Sequence, residues 1–194
     1  MAEASVTPRY AASTASAVYG GNPPYLDART APILVPRGEA SGDVEREFLA
    51  DLTQRAAAAA SSLACGSILA GTTSESDEYG DVAFWLDGGD FVPGREREIL
   101  NALGLTSRIA PQLKILHVDL SPSTHLPVSL PTAPGGAVAA LTNALSRLDS
   151  LHSFRVQGVA GDDSVVLYVL LGQLTTPDGS SPWAGLMGLA VWSW

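Results

Sequence analysis

Thiols and lysines are nearly missing from this chain of 194 residues: Cys65 is its one cysteine and Lys114 its one lysine. A single thiol excludes an intramolecular disulfide framework and leaves too few ligands for a cysteine-based zinc site. Read alone, Cys65 is a buried small hydrophobe. The formal net charge of −9 argues against a folded surface that holds nucleic acid by neutralising phosphates. Long apolar runs are also missing. The two longest, SVVLYVLLGQL (164–174) and WAGLMGLAVWSW (183–194), fall short of the roughly 20 residues of a membrane helix, so no membrane partner is expected. The segment MAEASVTPRY has no basic stretch followed by an apolar one, so no secretion signal is read there.

What is present is a globular composition, 46% hydrophobic, of a length that suits one domain. Residues 1–31 are rich in Ala, Ser, Thr, Gly and Pro and read as an extended N-terminal arm, with residues 32–194 as the folded domain. The run APILVPRGEA (31–40) suits an edge strand flanked by prolines. From Ser41 a helix begins, with Val44, Phe48 and Leu52 at fourfold spacing. The alanines that follow extend it by propensity, although small residues also suit a closely packed strand. CGSILAG (65–71), DVAFWLD (81–87), QLKILHVDL (112–120) and HLPVSLP (125–131) read as strands, and GREREILNAL (94–103) and GGAVAALTNALSRL (135–148) as helices. The last third, from His152 to Trp194, reads as a β-meander.

Several groups of side chains invite a chemical reading. GSILAGTTSESDEYGDVAFWL has the order of a nucleotidyltransferase site, a Gly-Ser turn and then a strand carboxylate, with Asp119 as a third acid. That chemistry needs two acids two residues apart on one strand face, and here Tyr79 stands two before Asp81. His117, His125 and His152 lack a nucleophile elbow of the G-x-S-x-G type. Asp77, Glu78, Asp81, Asp87 and Asp90 lack the ligand order of a calcium loop and read as the solvated edge of a strand. No catalytic, metal-binding or cofactor-binding residue is assigned.

The order of the segments resembles the coat proteins of small icosahedral plus-strand RNA viruses, most nearly the tymovirus-like group. APILVP is similar to the proline-flanked first strand of that family. LTQRAAAAASSLACGSILAGTT resembles its next strand, with a cysteine and a polar turn. DVAFWLDGGDFVPGREREIL resembles a strand followed by a proline-containing loop and a short helix. QLKILHVDL and THLPVSLP resemble the following pair, and DSLHSFRVQGV and SVVLYVLLGQL the two closing strands.

The resemblance implies an all-β fold, an eight-stranded antiparallel jelly roll with short helical excursions and an extended arm. It further implies a non-enzymatic capsid protein that assembles with copies of itself around viral RNA, made in the host cytoplasm and located in the virion. Residues 1–43 hold three arginines and four carboxylates, so RNA contacts would not depend on a basic arm. Polyamines or divalent cations would then neutralise the genome. Tyr10, Tyr19, Tyr25, Trp183, Trp192 and Trp194 are the expected subunit contacts, because Tyr and Trp are enriched at interfaces. The rival expectations are a degenerate nucleotidyltransferase-like domain, which would have a mixed sheet covered by helices, and a minor or decoration protein of a larger capsid.

Overall fold

The computed structural model describes residues 9–26, 31–40, 42–109, 112–127, 135–176 and 179–192. Helix α1 (Arg9–Tyr19) leads to the two-residue strand β1 (Tyr25–Leu26) and to β2 (Ile33–Arg37). Helix α2 (Asp43–Ser62) crosses to β3 (Val82–Leu86), and α3 (Glu96–Ala102) to β4 (Ile115–Val118). Helix α4 (Gly136–Leu145) then precedes an antiparallel meander of β5 (Leu148–Gln157), β6 (Val165–Leu174) and β7 (Trp183–Val191).

The strands form one seven-stranded sheet in the order β1-β2-β3-β7-β6-β5-β4. Only β2 and β3 run parallel; every other neighbouring pair is antiparallel. A parallel pair needs a crossover long enough to return the chain, and α2 supplies it. Thr53 ties that crossover to both strands: its hydroxyl donates to Pro32 O at 3.1 Å and accepts the Ala83 N–H at 3.0 Å.

Helices cover both faces. Phe48, Leu49, Leu52 and Ala56 of α2, with Val138 and Leu141 of α4, pack over Ile33, Ala83, Trp85, Leu170 and Leu186. On the other face Ala15 and Val18 of α1, with Ile99 and Leu103 of α3, pack over Leu34, Phe84, Phe154 and Leu167. Consecutive strand residues such as Ile33 and Leu34 thus enter opposite cores, as the pleat requires. All five residues of β3 are buried.

This mixed, helix-covered sheet overturns the expected all-β eight-stranded antiparallel jelly roll. Two local readings carry the error. The alanines Ala56–Ala60 lie inside α2, where alanine has the best intrinsic helix propensity and a methyl side chain lets the helix approach the sheet. The chain then leaves the helix through Ala64, whose φ of 52° is left-handed, and the segment 65–71 forms turns rather than a strand. The arm is not extended over residues 9–19 either. Ala11, Thr14, Ala15 and Val18 are buried, the i, i+3, i+4, i+7 spacing of one helical face. Of HLPVSLP, residues 125–127 are outside any strand and 128–131 lie outside the described residues. Among the described residues no helix is long and apolar enough to cross a membrane.

Close approach at the centre of the sheet depends on Gly185, which pairs with Phe84 on one side and Leu171 on the other. A Cβ there would lie 1.9 Å from Leu170 O, a clash with backbone that no rotamer relieves. Gly185→Ala is therefore expected to lower stability by at least about 2 kcal/mol, read as a shift of the urea midpoint; an unchanged midpoint would contradict this packing.

Candidate functional site

The carboxylate of Asp81, at the entry to β3, points into the protein and is 1% exposed. It accepts the Ser67 hydroxyl at 2.7 Å, the Ile68 N–H at 2.6 Å and the Leu69 N–H at 3.4 Å. Ser67 Oγ in turn accepts the Ala70 N–H at 3.2 Å. One side chain thus fixes the turn after α2 to the sheet and satisfies amides that no strand partner reaches. Gly188 of β7 makes room for it, since a Cβ there would meet Asp81 Oδ1 at 2.3 Å. Burial pushes the Asp81 carboxyl up to about 6, and the hydrogen bonds from Ser67, Ile68 and Leu69 limit the rise. Burial, then the charges of Asp81 and Asp77, push the Cys65 thiol up to about 12, so it is not a thiolate nucleophile at neutral pH.

The loop that leads into Asp81 is built by its serines. Ser74 Oγ donates to Ser76 O and accepts the N–H groups of Ser76 and Val191, and Ser76 Oγ accepts the Glu78 N–H. The Glu75 N–H donates to Val191 O at 2.9 Å, which anchors the loop to the end of β7. At its other end the Gly80 N–H donates to Tyr10 O at 2.9 Å, and the Thr14 hydroxyl donates to Gly80 O. The loop is therefore bolted between β7 and α1, with Glu75, Asp77 and Glu78 exposed on it. Behind it lies a recess of about 290 Å³ between Tyr10 and Ala11 of α1, Ala57 and Ser61 of α2, and the residues Asp77 and Asp81.

The acids singled out in the sequence do not converge. Asp77, Glu78 and Asp81 precede β3 while Asp87 and Asp90 follow it, and five strand residues separate the two groups by roughly 17 Å. Ala83 stands two residues after Asp81, and Asp81 is turned inward, so β3 does not carry the paired metal-binding carboxylates of a nucleotidyltransferase. Asp119 is exposed beyond the end of β4. Among the described residues no group of three or more His, Cys, Asp or Glu is placed to hold a metal ion.

Two histidines approach one another through Glu96. His117 Nε2 lies 2.7 Å from Glu96 Oε1, which also accepts the Gly94 N–H at 2.8 Å. His152 is buried, with Nδ1 3.1 Å from Ser150 O and its ring edge-on to Trp183. Burial lowers its pKa, while the Ser150 carbonyl and then Glu96 pull in the opposite direction. His125 sits apart, in a loop with φ of 58°.

The expected contact residues are scattered. Tyr10 is 41% exposed at the mouth of the recess. Tyr19 donates its hydroxyl to Leu103 O at 2.8 Å, joining α1 to the end of α3, and its burial raises its pKa. Trp183 is buried in the core, its indole donating to Gly89 O at 3.2 Å and its ring edge-on to Phe91. Trp192 is half-buried under the Arg155 guanidinium, 5.0 Å from its ring centre. The Tyr25 side chain and Trp194 lie outside the described residues. The role of Ser67 and Ser74 was not legible in the sequence, although the Ser-x-Ser spacing at 74–76 is a signal for side-chain-to-backbone turns.

No family model, curated protein or solved structure matches the chain.

The linkage of Asp81 to stability has a definite sign. Its folded value of about 6 lies above the ordinary 3.8. Between those values the folded chain keeps a proton that the unfolded chain has released, so this group's contribution falls as pH rises through the window and is constant above it. Asp81→Asn removes the term. The stability advantage of the native chain over that variant is expected to shrink by on the order of 2–3 kcal/mol from about pH 4 to pH 7, measured by urea unfolding; parallel pH curves would refute the buried, proton-holding carboxyl.

Proposed function

We propose that this chain is a binding protein that acts by docking, and that its 74–80 loop engages a lysine- and arginine-rich surface on a partner protein. The observation that carries this is a loop that is both acidic and held in place. Its backbone is fixed on one side to Val191 and on the other to Tyr10, and it presents Glu75, Asp77 and Glu78 to solvent. A loop already in its bound shape loses little conformational freedom on binding. Among the described residues, ion pairs engage Asp43 with Arg46, Asp51 with Arg55, Glu98 with Arg95 and Glu96 with His117; Asp77 and Glu78 stand outside them. The net charge of −9 adds long-range attraction for a basic partner, which raises the association rate at low salt.

Assembly into a shell around RNA rests on the jelly roll, and the mixed sheet removes that ground. A subunit contact at Trp183 would require this core residue to leave its place against Phe91 and His152.

Docking predicts that a fluorescent deca-arginine peptide binds the chain at low ionic strength and is released by salt. Asp77→Asn/Glu78→Gln is expected to weaken binding roughly fivefold, the size of a few partly exposed ion pairs. Asp87→Asn/Asp90→Asn removes the same charge at the far end of β3 and is expected to have a much smaller effect. Equal losses in the two double variants would show attraction by net charge alone and would sink the assignment to the loop.

A further inference from the structure

We infer that the recess behind the loop is a preformed socket for one organic cation on an aliphatic stem, filled in the docked state by a lysine or arginine side chain of the partner. The inference rests on the docking reading and gives it an anchor. Among the described residues the charge in the recess has one sign: Asp77 and Asp81 line it, and no Lys, Arg or His does. Its other walls are mostly short side chains, Ala11, Ala57, Ala64 and Cys65 with the hydroxyl of Ser61. Methyl-lined walls suit a methylene stem, and the Tyr10 ring at the mouth suits the cation that passes it.

Of the two, Asp81 is buried and Asp77 is exposed. The hydrogen bonds of Asp81 come from a hydroxyl and two neutral amides, none of which is a cation. Buried charges are ordinarily paired, and an inserted ammonium or guanidinium would supply such a partner. Other groups that act on this side are Cys65, kept neutral by burial, and Asp77; β7 contributes Gly188, and the α2 wall contributes Ala57 and Ser61. The volume of about 290 Å³ is at the lower end of ligand sites, enough for one side chain and too small for a folded segment.

Rigidity makes the socket preformed rather than induced. Gly66 at its rim admits no side chain, since a Cβ would lie 2.6 Å from Tyr79 O. Gly80 is joined to α1 through both its N–H and its carbonyl.

The test uses n-butylamine and n-butylguanidinium as probes on the whole chain near neutral pH, followed by NMR, with n-butanol as the uncharged control. Saturable shifts at the amides of Gly66 and Gly80 and on the Tyr10 ring are expected with both cations at millimolar concentration, and none with the alcohol. Asp77→Asn should weaken binding roughly two- to fivefold. Ala57→Leu fills the recess without touching a charge and should abolish amine binding and weaken deca-arginine binding. Shifts that never saturate, or that survive Ala57→Leu, would overturn the socket. Deca-arginine binding that depends on Asp77 and Glu78 but ignores Ala57→Leu would overturn the socket and leave docking standing. Amine binding without any peptide binding would support the cation site and remove the docked partner.

Discussion

A carboxylate turned inward at the entry to β3 sets the order of everything around it. Asp81 takes its hydrogen bonds from the turn that ends α2, so the crossover helix, the first central strand and the Gly188 position of β7 are registered by one side chain. A hydrophobic contact could bring these elements together, but it would not choose among neighbouring registers. Hydrogen bonds at 2.6 to 2.7 Å do. The cost is a charge or a proton held out of water, visible in a carboxyl displaced to about 6. The residue that aligns the fold also lines the recess, so architecture and site share one residue.

Burial on two sides explains why the strands carry so little alternation. β3 reads VAFWL and is buried throughout, and eight of the nine residues of β7 are buried. Strands in a sandwich with one wetted face alternate apolar and polar residues, whereas strands covered on both faces read as continuous apolar runs. Helices are then required on each side, and α2 with α4, and α1 with α3, fill those places. The parallel start, β2 to β3 through α2, and the antiparallel finish are compatible because the meander ends with β7 beside β3.

Much of this was legible in residues. DVAFWLD, the closing meander and the two later helices lie where periodicity and turn residues place them. The fold class was not, and the reasons are physical. The face of α1 is made of Ala11, Thr14, Ala15 and Val18, whose weak hydrophobicity hides a helical period among the other small residues of that segment. The alanines of α2 carry a strong helix preference, against the strand that the coat-protein resemblance implies for them. The unbroken runs VVLYVLLGQL and WAGLMGLAV are those of strands covered on both faces rather than of a sandwich. At the site, the carboxylates of the 77–90 stretch were visible, but that Asp81 faces inward while Asp77 and Glu78 face outward depends on Gly188 and Ser67, which are distant in sequence and chemically plain.

The attachment of the loop to α1 gives it a lifetime. Helix α1 belongs to no strand ladder; it lies over β3 and β7 through small side chains, and its Tyr19 hydroxyl ties it to Leu103 at the end of α3. An element held this way can open on its own, as a cooperative unit less stable than the sheet. Because the Gly80 amide is bonded to the Tyr10 carbonyl, its hydrogen exchange would report the opening of a helix some seventy residues earlier in the chain. At its Gly80 end the persistence of the acidic surface is thus that of the first helix rather than that of the core.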